Sequence, residues 1–599
     1  MKMKNIAYIL GIVIASVMVS CDDYLDEPTK SSLDESIIFS TPDLASGAVN
    51  GINVSFGETN SYRGRFLPWY GMNTDAEWYN SSEDVGDGKA DLTVYATTPS
   101  NGQMNTTNNA WAKMYEGIER ANVCIEGLRT YGAPEPGTEL GQLLGEALTL
   151  RAVYYADLLK TWGDVVARFE PISTESLYLA KSSRDVIYKQ LIADLAEASE
   201  LVAWPNETDA TTTVERVNKA FVKGLRARLC LAASGYSQYP DGIRRSTDPE
   251  LSVDKMYPIA YQECLDIINS GTCKLESSFE TVFKKNCQDV IAAGGESLWE
   301  IPFSDGRGRM LFTFAIRHNS ADQYTAQNRG GQAGPLPNLF YDYDEKDTRR
   351  DVTCIPYEWG TVAPNETNAK QELSSLASWD FGKYRYEWTN EVRRVTSTND
   401  DGVNKLYMRY AEVILMAAET ANELQGPSAA APYLKMIRQR AFDSGDWSEK
   451  VDTYVGALNS KEAMFDAIVK EHKFEFCGEM VRKQALIRWN LLKTKMDEAK
   501  ERMYALRDRS GEYSDVPEKV YYSYADDGES LVIYGLNRGE TEDMSTEYEY
   551  NTTWVAPDKL EDSKIEAIYA QDPDQWQFWP IWQVFLDSSN GMLVNDYGY

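Results

Sequence analysis

Histidine is almost absent from this chain of 599 residues: only His318 and His472 occur, 154 positions apart. Zinc ligation by a His/Cys cluster and a serine–histidine triad therefore have little material to draw on. None of the eight cysteines (Cys21, Cys124, Cys230, Cys264, Cys273, Cys287, Cys354, Cys477) has a partner at CxxC spacing. Disulfides are not the framework, although Cys264 with Cys273 suits a single bridge in an exported protein. Basic residues are outnumbered, 60 Lys and Arg against 92 Asp and Glu, and the resulting formal charge of -32 repels phosphate backbones. Nucleic acid is excluded as a partner on that ground. No apolar run after residue 20 is long enough to span a bilayer, and no low-complexity or charge run suggests a disordered tail. The one candidate phosphate loop, "TWGDVV", has a single glycine and no following lysine, so it reads as a helix-ending turn, and no metal or other cofactor is expected.

What is present begins with a secretion signal: Lys2 and Lys4 precede an uncharged apolar stretch from Ile6 to Val19, too short and wrongly flanked for a stable span. Met18, Val19, Ser20 and Cys21 resemble the lipobox of bacterial lipoproteins, in which the cysteine becomes the acylated N-terminus. Residues 1–20 are then a removed signal peptide. Each buried methylene contributes ~0.8 kcal/mol, so more than one acyl chain at Cys21 holds the protein on a membrane it never crosses.

Aromatic residues are abundant, and 37 Tyr with 15 Trp greatly outnumber 18 Phe. Rings with a polar edge suit wet binding surfaces, which points to a polar ligand with flat apolar faces such as a sugar. Helical periodicity is strong at 108–129, 139–162, 183–203 and 216–235, and again at 405–424, at "APYLKMIRQRAF" opened by Pro432, and across 461–492. Paired helices with small and large residues alternating on one face predict a mostly α, TPR-like repeat scaffold, with helices at about 105–238 and 404–498. Irregular segments with short strand signals such as "ESLWEIPF" fill about 58–104, 240–403 and 505–575. Loops this long in a compact protein are usually functional.

Four segments resemble the SusD/RagB-like nutrient-binding lipoproteins of the Bacteroidota surface: "YYADLLKTWGDVV", "RYAEVILMAAETANEL", "EHKFEFCGEMVRKQALIRW" and the closing "WPIWQVFLDSSNGMLVNDYGY". They occur in family order behind the lipobox. Val166, Met480, Ala485, Trp582 and Phe585 depart from the family pattern and put local turns in question, not the fold. The resemblance implies one domain over 21–599, with 576–599 as the family's closing segment. It further implies a lipid-anchored, outward-facing outer-membrane protein that binds oligosaccharide and passes it to a SusC-like TonB-dependent barrel. Asp22 and Asp23 resemble the surface-export signal of such lipoproteins. A peptide-binding member of the family and a lipid-anchored glycoside hydrolase are the rival readings.

The marker helices themselves read as structural. Glu412 and Glu419 share a helix face ~10.5 Å apart, beyond the usual separation of glycosidase carboxylates, and are expected to pair with Arg409 or a neighbouring helix. Arg349 and Arg350 are expected to pair with adjacent aspartates, in an acidic loop without EF-hand spacing. Ligand contacts are instead expected where rings stand among polar groups outside the helix stripes: Trp78, Tyr79 and Asn80; Asp322 and Tyr324; Trp359; and Trp388. Trp111, Trp299 and Trp489 lie in periodic apolar segments and are expected in the core.

Overall fold

The computed structural model describes residues 34–303, 306–390 and 400–599, so Cys21 and the expected signal peptide lie outside the described residues. A helical array dominates. Helices α1 (Ala110–Gly127), α2 (Glu139–Trp162), α3 (Arg184–Leu201), α4 (Lys219–Ser234) and α5 (Val253–Ser270) each pack on the next. The chain then leaves the array and returns as α6 (Tyr410–Gln425), which packs on α5, followed by α7 (Pro427–Ala441), α8 (Lys461–Phe476) and α9 (Leu492–Arg507). The helix starts are set locally. Asn109, Thr138, Asn218 and Ser460 each accept a backbone N–H from the first turn they precede, satisfying a donor that the helix leaves open. α1 and α2 approach closely at Gly117, where a Cβ would stand 2.3 Å from the Tyr154 ring.

The predicted turn after α2 is real. Gly163 has φ of 71°, and a Cβ there would lie 2.6 Å from the Tyr597 hydroxyl, so the closing segment packs directly on this turn. Three boundaries differ from the sequence reading. α5 lies inside the stretch expected to be irregular, because Pro258 interrupts its pattern while Met256, Tyr257, Ala260, Cys264 and Ile267 are still buried by α4 and α6. The helix expected from 405 starts at Tyr410, since residues 405–409 pair as a strand. α7 begins at Pro427 and not Pro432: Gly426, at φ of 94°, makes the whole connection, and Pro427 sits where a missing N–H costs nothing.

Strands are short and scattered. β1 (Glu77–Tyr79), β2 (Ser297–Ile301), β3 (Ala333–Pro335), β4 (Tyr357–Trp359), β5 (Gln371–Leu373) and β6 (Lys405–Arg409) form the antiparallel pairs β1–β3, β2–β6 and β4–β5. β7 (Lys519–Tyr524), β8 (Leu531–Tyr534) and β9 (Tyr550–Thr553) form one sheet with β7 in the middle. The main apolar cluster runs from Phe39 through the array to Trp582 and takes in Trp111 and Trp299, as expected, with Trp489 half-buried against it; a smaller cluster gathers Ile316, Ile355, Trp359 and Ala369. Cys264, Cys273 and the other described cysteines are free thiols, all buried.

A buried ion network ties α7 and α8 to the irregular half. Arg409 reaches Glu296 and Glu475 at 2.7 Å and Glu479 at 2.7 Å, and Arg440 and Arg349 also pair with Glu475. Arg349 pairs with Asp347 and Arg350 with Asp351, as expected. Arg409 is not the partner of Glu412; that carboxylate takes Arg228 of α4, and Glu419 takes Arg488, because Arg409 ends β6 and points into the glutamates of α8. Burial alone would raise Glu475; Arg440, Arg409 and Arg349 outweigh it and hold the carboxyl well below the usual range.

Candidate functional site

The segment after residue 316 is folded around Asp322. Its Oδ1 accepts the backbone N–H groups of Tyr324 at 2.8 Å and Thr325 at 2.9 Å, and its Oδ2 lies 2.6 Å from His318 Nδ1. Both side chains are fully buried. Asp322 therefore shapes the loop and presents no free oxygen to a ligand, contrary to the sequence expectation. The consequence is the placement of Tyr324, whose half-buried ring leans on Trp359 with centroids 5.1 Å apart.

Trp359 itself is 4% exposed. Its ring stacks on His318 at 6.1 Å and 21°, and its Nε1 donates to Glu387 Oε1 at 2.8 Å. It is the floor under Tyr324, not a platform for a ligand, which corrects the second expectation. Strand β4 alternates, so Tyr357 lies on the same side as Trp359 and is half-buried. Arg385 donates to the Tyr357 hydroxyl at 3.2 Å, so the accessible rings Tyr324 and Tyr357 are edged by Arg385, Glu387 and Glu529. The opposite side of the same hairpin places Glu358 directly across from Glu372. Burial raises Glu358, with Glu372 adding to the rise and a hydrogen bond from Asn319 opposing it.

Two further elements close on this hairpin. Gln323 exchanges hydrogen bonds with the backbone of Ala369 at 2.8 and 3.1 Å. Glu529, in the turn between β7 and β8, accepts from Asn368 Nδ2 at 2.6 Å and Gln323 Nε2 at 3.2 Å. At the base, Asp380 accepts the Arg317 N–H at 2.7 Å, and burial pushes its carboxyl up to about 8.

The other expected residues lie apart from this cluster. Trp78 is 0% and Tyr79 9% exposed, because β1 pairs with β3 inside the core; neither offers a ring face, which corrects that expectation. Asn80 follows them and donates to the Gly331 carbonyl at 2.9 Å. Trp388 is half-buried with the Arg385 guanidinium 4.8 Å from its ring centre. It neighbours the site through Glu387 but does not stack with Tyr324. The sequence reading missed Tyr357, Glu358 and Glu372. Their meeting depends on the β4–β5 register, which no local period announces.

The family profile described as the SusD family matches residues 295–599, and one described as starch-binding, associating with the outer membrane, matches 23–231. The chain belongs to the SusD family. Among its relatives, SusD-like protein P25 of Formosa agariphila is 23% identical over 82% of this chain and 91% of its own length, and P2 of the same organism is 25% identical over 79% and 88%. A SusD homolog from Bacteroides thetaiotaomicron superposes with a TM-score of 0.70 at 17% identity, covering 95% of this chain and 99% of its own. Surface glycan-binding protein A of the same organism, solved with laminarihexaose, superposes with a TM-score of 0.61 at 17% identity over 93% and 99%.

Proposed function

We propose that this protein captures a glycan at the outer surface of the outer membrane, held there by acyl chains on Cys21, and delivers it uncleaved to a TonB-dependent barrel. The observation that carries the reading is the Tyr324–Tyr357 surface: two accessible rings seated on a rigid Trp359–His318 floor and edged by a guanidinium and carboxylates. A pyranose presents an apolar C–H face and a rim of hydroxyls, and this combination meets both. The shared fold with a protein solved with laminarihexaose, and the family's description as starch-binding and outer-membrane-associated, support the same reading.

The hydrolase reading has one specific observation in its favour, the Glu358–Glu372 pair, in which one carboxyl is raised by burial. A glycan array probed with the lipid-free chain tests both, followed by chromatography of the bound sugar. Retention of a glycan recovered at its original length is expected. Shorter products that vanish in Glu358→Gln would make the protein a hydrolase, and binding confined to peptides would replace the glycan altogether.

A further inference from the structure

The sheet β7–β9 is built from tyrosine. Tyr521, Tyr522, Tyr524, Tyr534, Tyr548 and Tyr550 fall within residues 519–553, which contain neither Phe nor Trp. Register sorts them onto two sides. On one, Tyr521 faces Tyr534, the Tyr548 ring follows at 6.2 Å, and Asp543 accepts from the Tyr521 hydroxyl, so the sheet's own loop closes that side. On the other, Tyr522 and Tyr550 are cross-strand partners stacked at 5.3 Å and 24°, with Tyr524 edge-on to Tyr550 at 6.5 Å. Nothing among the described residues covers this trio completely: Tyr550 is 41% exposed, Tyr522 and Tyr524 are half-buried, and the exposed Lys370 places its ammonium 5.5 Å from the Tyr524 ring centre. Packing alone would be served by Phe. Rings that keep a hydroxyl at a half-wet surface suit a ligand with both apolar and polar faces.

This tyrosine trio is fastened to the Tyr324 loop by hydrogen bonds. The Tyr524 hydroxyl donates to the Gln371 carbonyl at 3.2 Å, and Gln371 is the cross-strand partner of Trp359. The Gln371 side chain accepts the Leu531 N–H at 2.9 Å, while Glu529 fastens the β7–β8 turn to Gln323 and Asn368. Charge narrows the ligand. Residues 519–553 hold eight Asp and Glu against two Lys and Arg, and the exposed Asp526, Asp527, Glu547 and Glu549 flank the rings in sequence, outnumbering the single ammonium that Lys370 brings to Tyr524.

We infer that the Tyr522–Tyr524–Tyr550 face is a second glycan platform, which together with the Tyr324 surface holds an extended, uncharged polysaccharide and rejects sulfated or uronate-rich chains. The inference rests on the glycan-binding reading above. An anionic polymer would meet the acidic rim at contact distance, where screening by salt is weakest.

Native gels cast with laminarin, mannan or xylan, and in parallel with alginate or carrageenan, give the test. The wild-type chain is expected to be retarded by at least one neutral polymer and by neither anionic one. Tyr522→Ser/Tyr550→Ser should weaken binding to that polymer fivefold or more, yet bind a hexasaccharide of the same linkage within twofold of wild type. Unchanged affinity for the polymer overturns the platform while leaving the first site standing. Retardation by an anionic polymer overturns the selectivity, and no retardation by any polymer overturns the glycan reading and this inference with it. If the double variant does not fold, nitration of wild-type tyrosines by tetranitromethane decides: protection of Tyr522 and Tyr550 by the polymer supports the platform, and unchanged nitration refutes it.

Discussion

Asp380 and Trp359 show how single buried residues hold the accessible ones in place. Asp380 has its folded-state pKa raised to about 8 from the ordinary 3.8, so the fold favours its protonated form. Its contribution to stability is complete below pH 3.8 and is lost as pH rises through about 8. Asp380→Asn keeps an acceptor for the Arg317 N–H and cannot ionise. The variant's melting temperature is therefore expected to fall less than that of wild type between pH 5 and pH 9, and an identical decline in the two proteins would refute the assignment. Trp359→Ala removes the floor beneath Tyr324, and truncating a buried tryptophan costs ~3–5 kcal/mol. Chemical denaturation should register that loss, whereas Tyr324→Ala should leave stability within about 1 kcal/mol and reduce glycan affinity, on the scale of ~1–3 kcal/mol seen for stacking on aromatic rings. At this scale the sequence was legible in part. Tyr324, Asp322 and Trp359 stood out separately as rings and polar groups in aperiodic segments, but that they meet, with Asp322 as staple and Trp359 as floor, depends on packing and burial that residue type does not reveal.

Among elements, the helix segments that carry the family resemblance are held together through charge. The glutamates of "EHKFEFCGEM" on and after α8 meet Arg349, Arg409 and Arg440 from three other segments. Removing one partner of a buried pair leaves an uncompensated charge and costs ~3–5 kcal/mol. Glu475→Gln is expected to destabilise the fold by that amount at pH 7. Because its pKa is depressed, the stabilisation from Glu475 is present above the ordinary value of 4.5 and is lost as pH falls through the lower folded value. The gap between variant and wild type in urea melts should therefore narrow on strong acidification; a constant gap would show that the pairing is not its source. The long helices were readable because period and caps agree. "KLYMR" was not, since β6 exists only by pairing with β2, and α5 was hidden by Pro258, which its neighbours' packing overrides.

For the molecule as a whole, the helical array, the irregular half and the acyl anchor expected at Cys21 form one argument. The array and its ion network fix a frame; in the proposed function the segments between residues 317 and 388 and the turn at 525–530 carry the ligand surface, and the expected anchor keeps that surface at the membrane. A tether raises the effective concentration at a neighbouring barrel, so a modest interface suffices for hand-over. Cys21→Ala should abolish acyl labelling and release the protein from outer-membrane fractions; retention of both would contradict the anchor. The central claim, capture without cleavage at the Tyr324 surface, is tested most directly by titration calorimetry of the lipid-free protein with a glycan identified on the array, comparing wild type with Tyr324→Ala and analysing the sugar afterwards. Saturable binding is expected, weakening roughly fivefold or more in the folded variant, with every glycan chain recovered intact. Wild-type affinity in Tyr324→Ala, or a glycan shortened in proportion to protein, would contradict that claim.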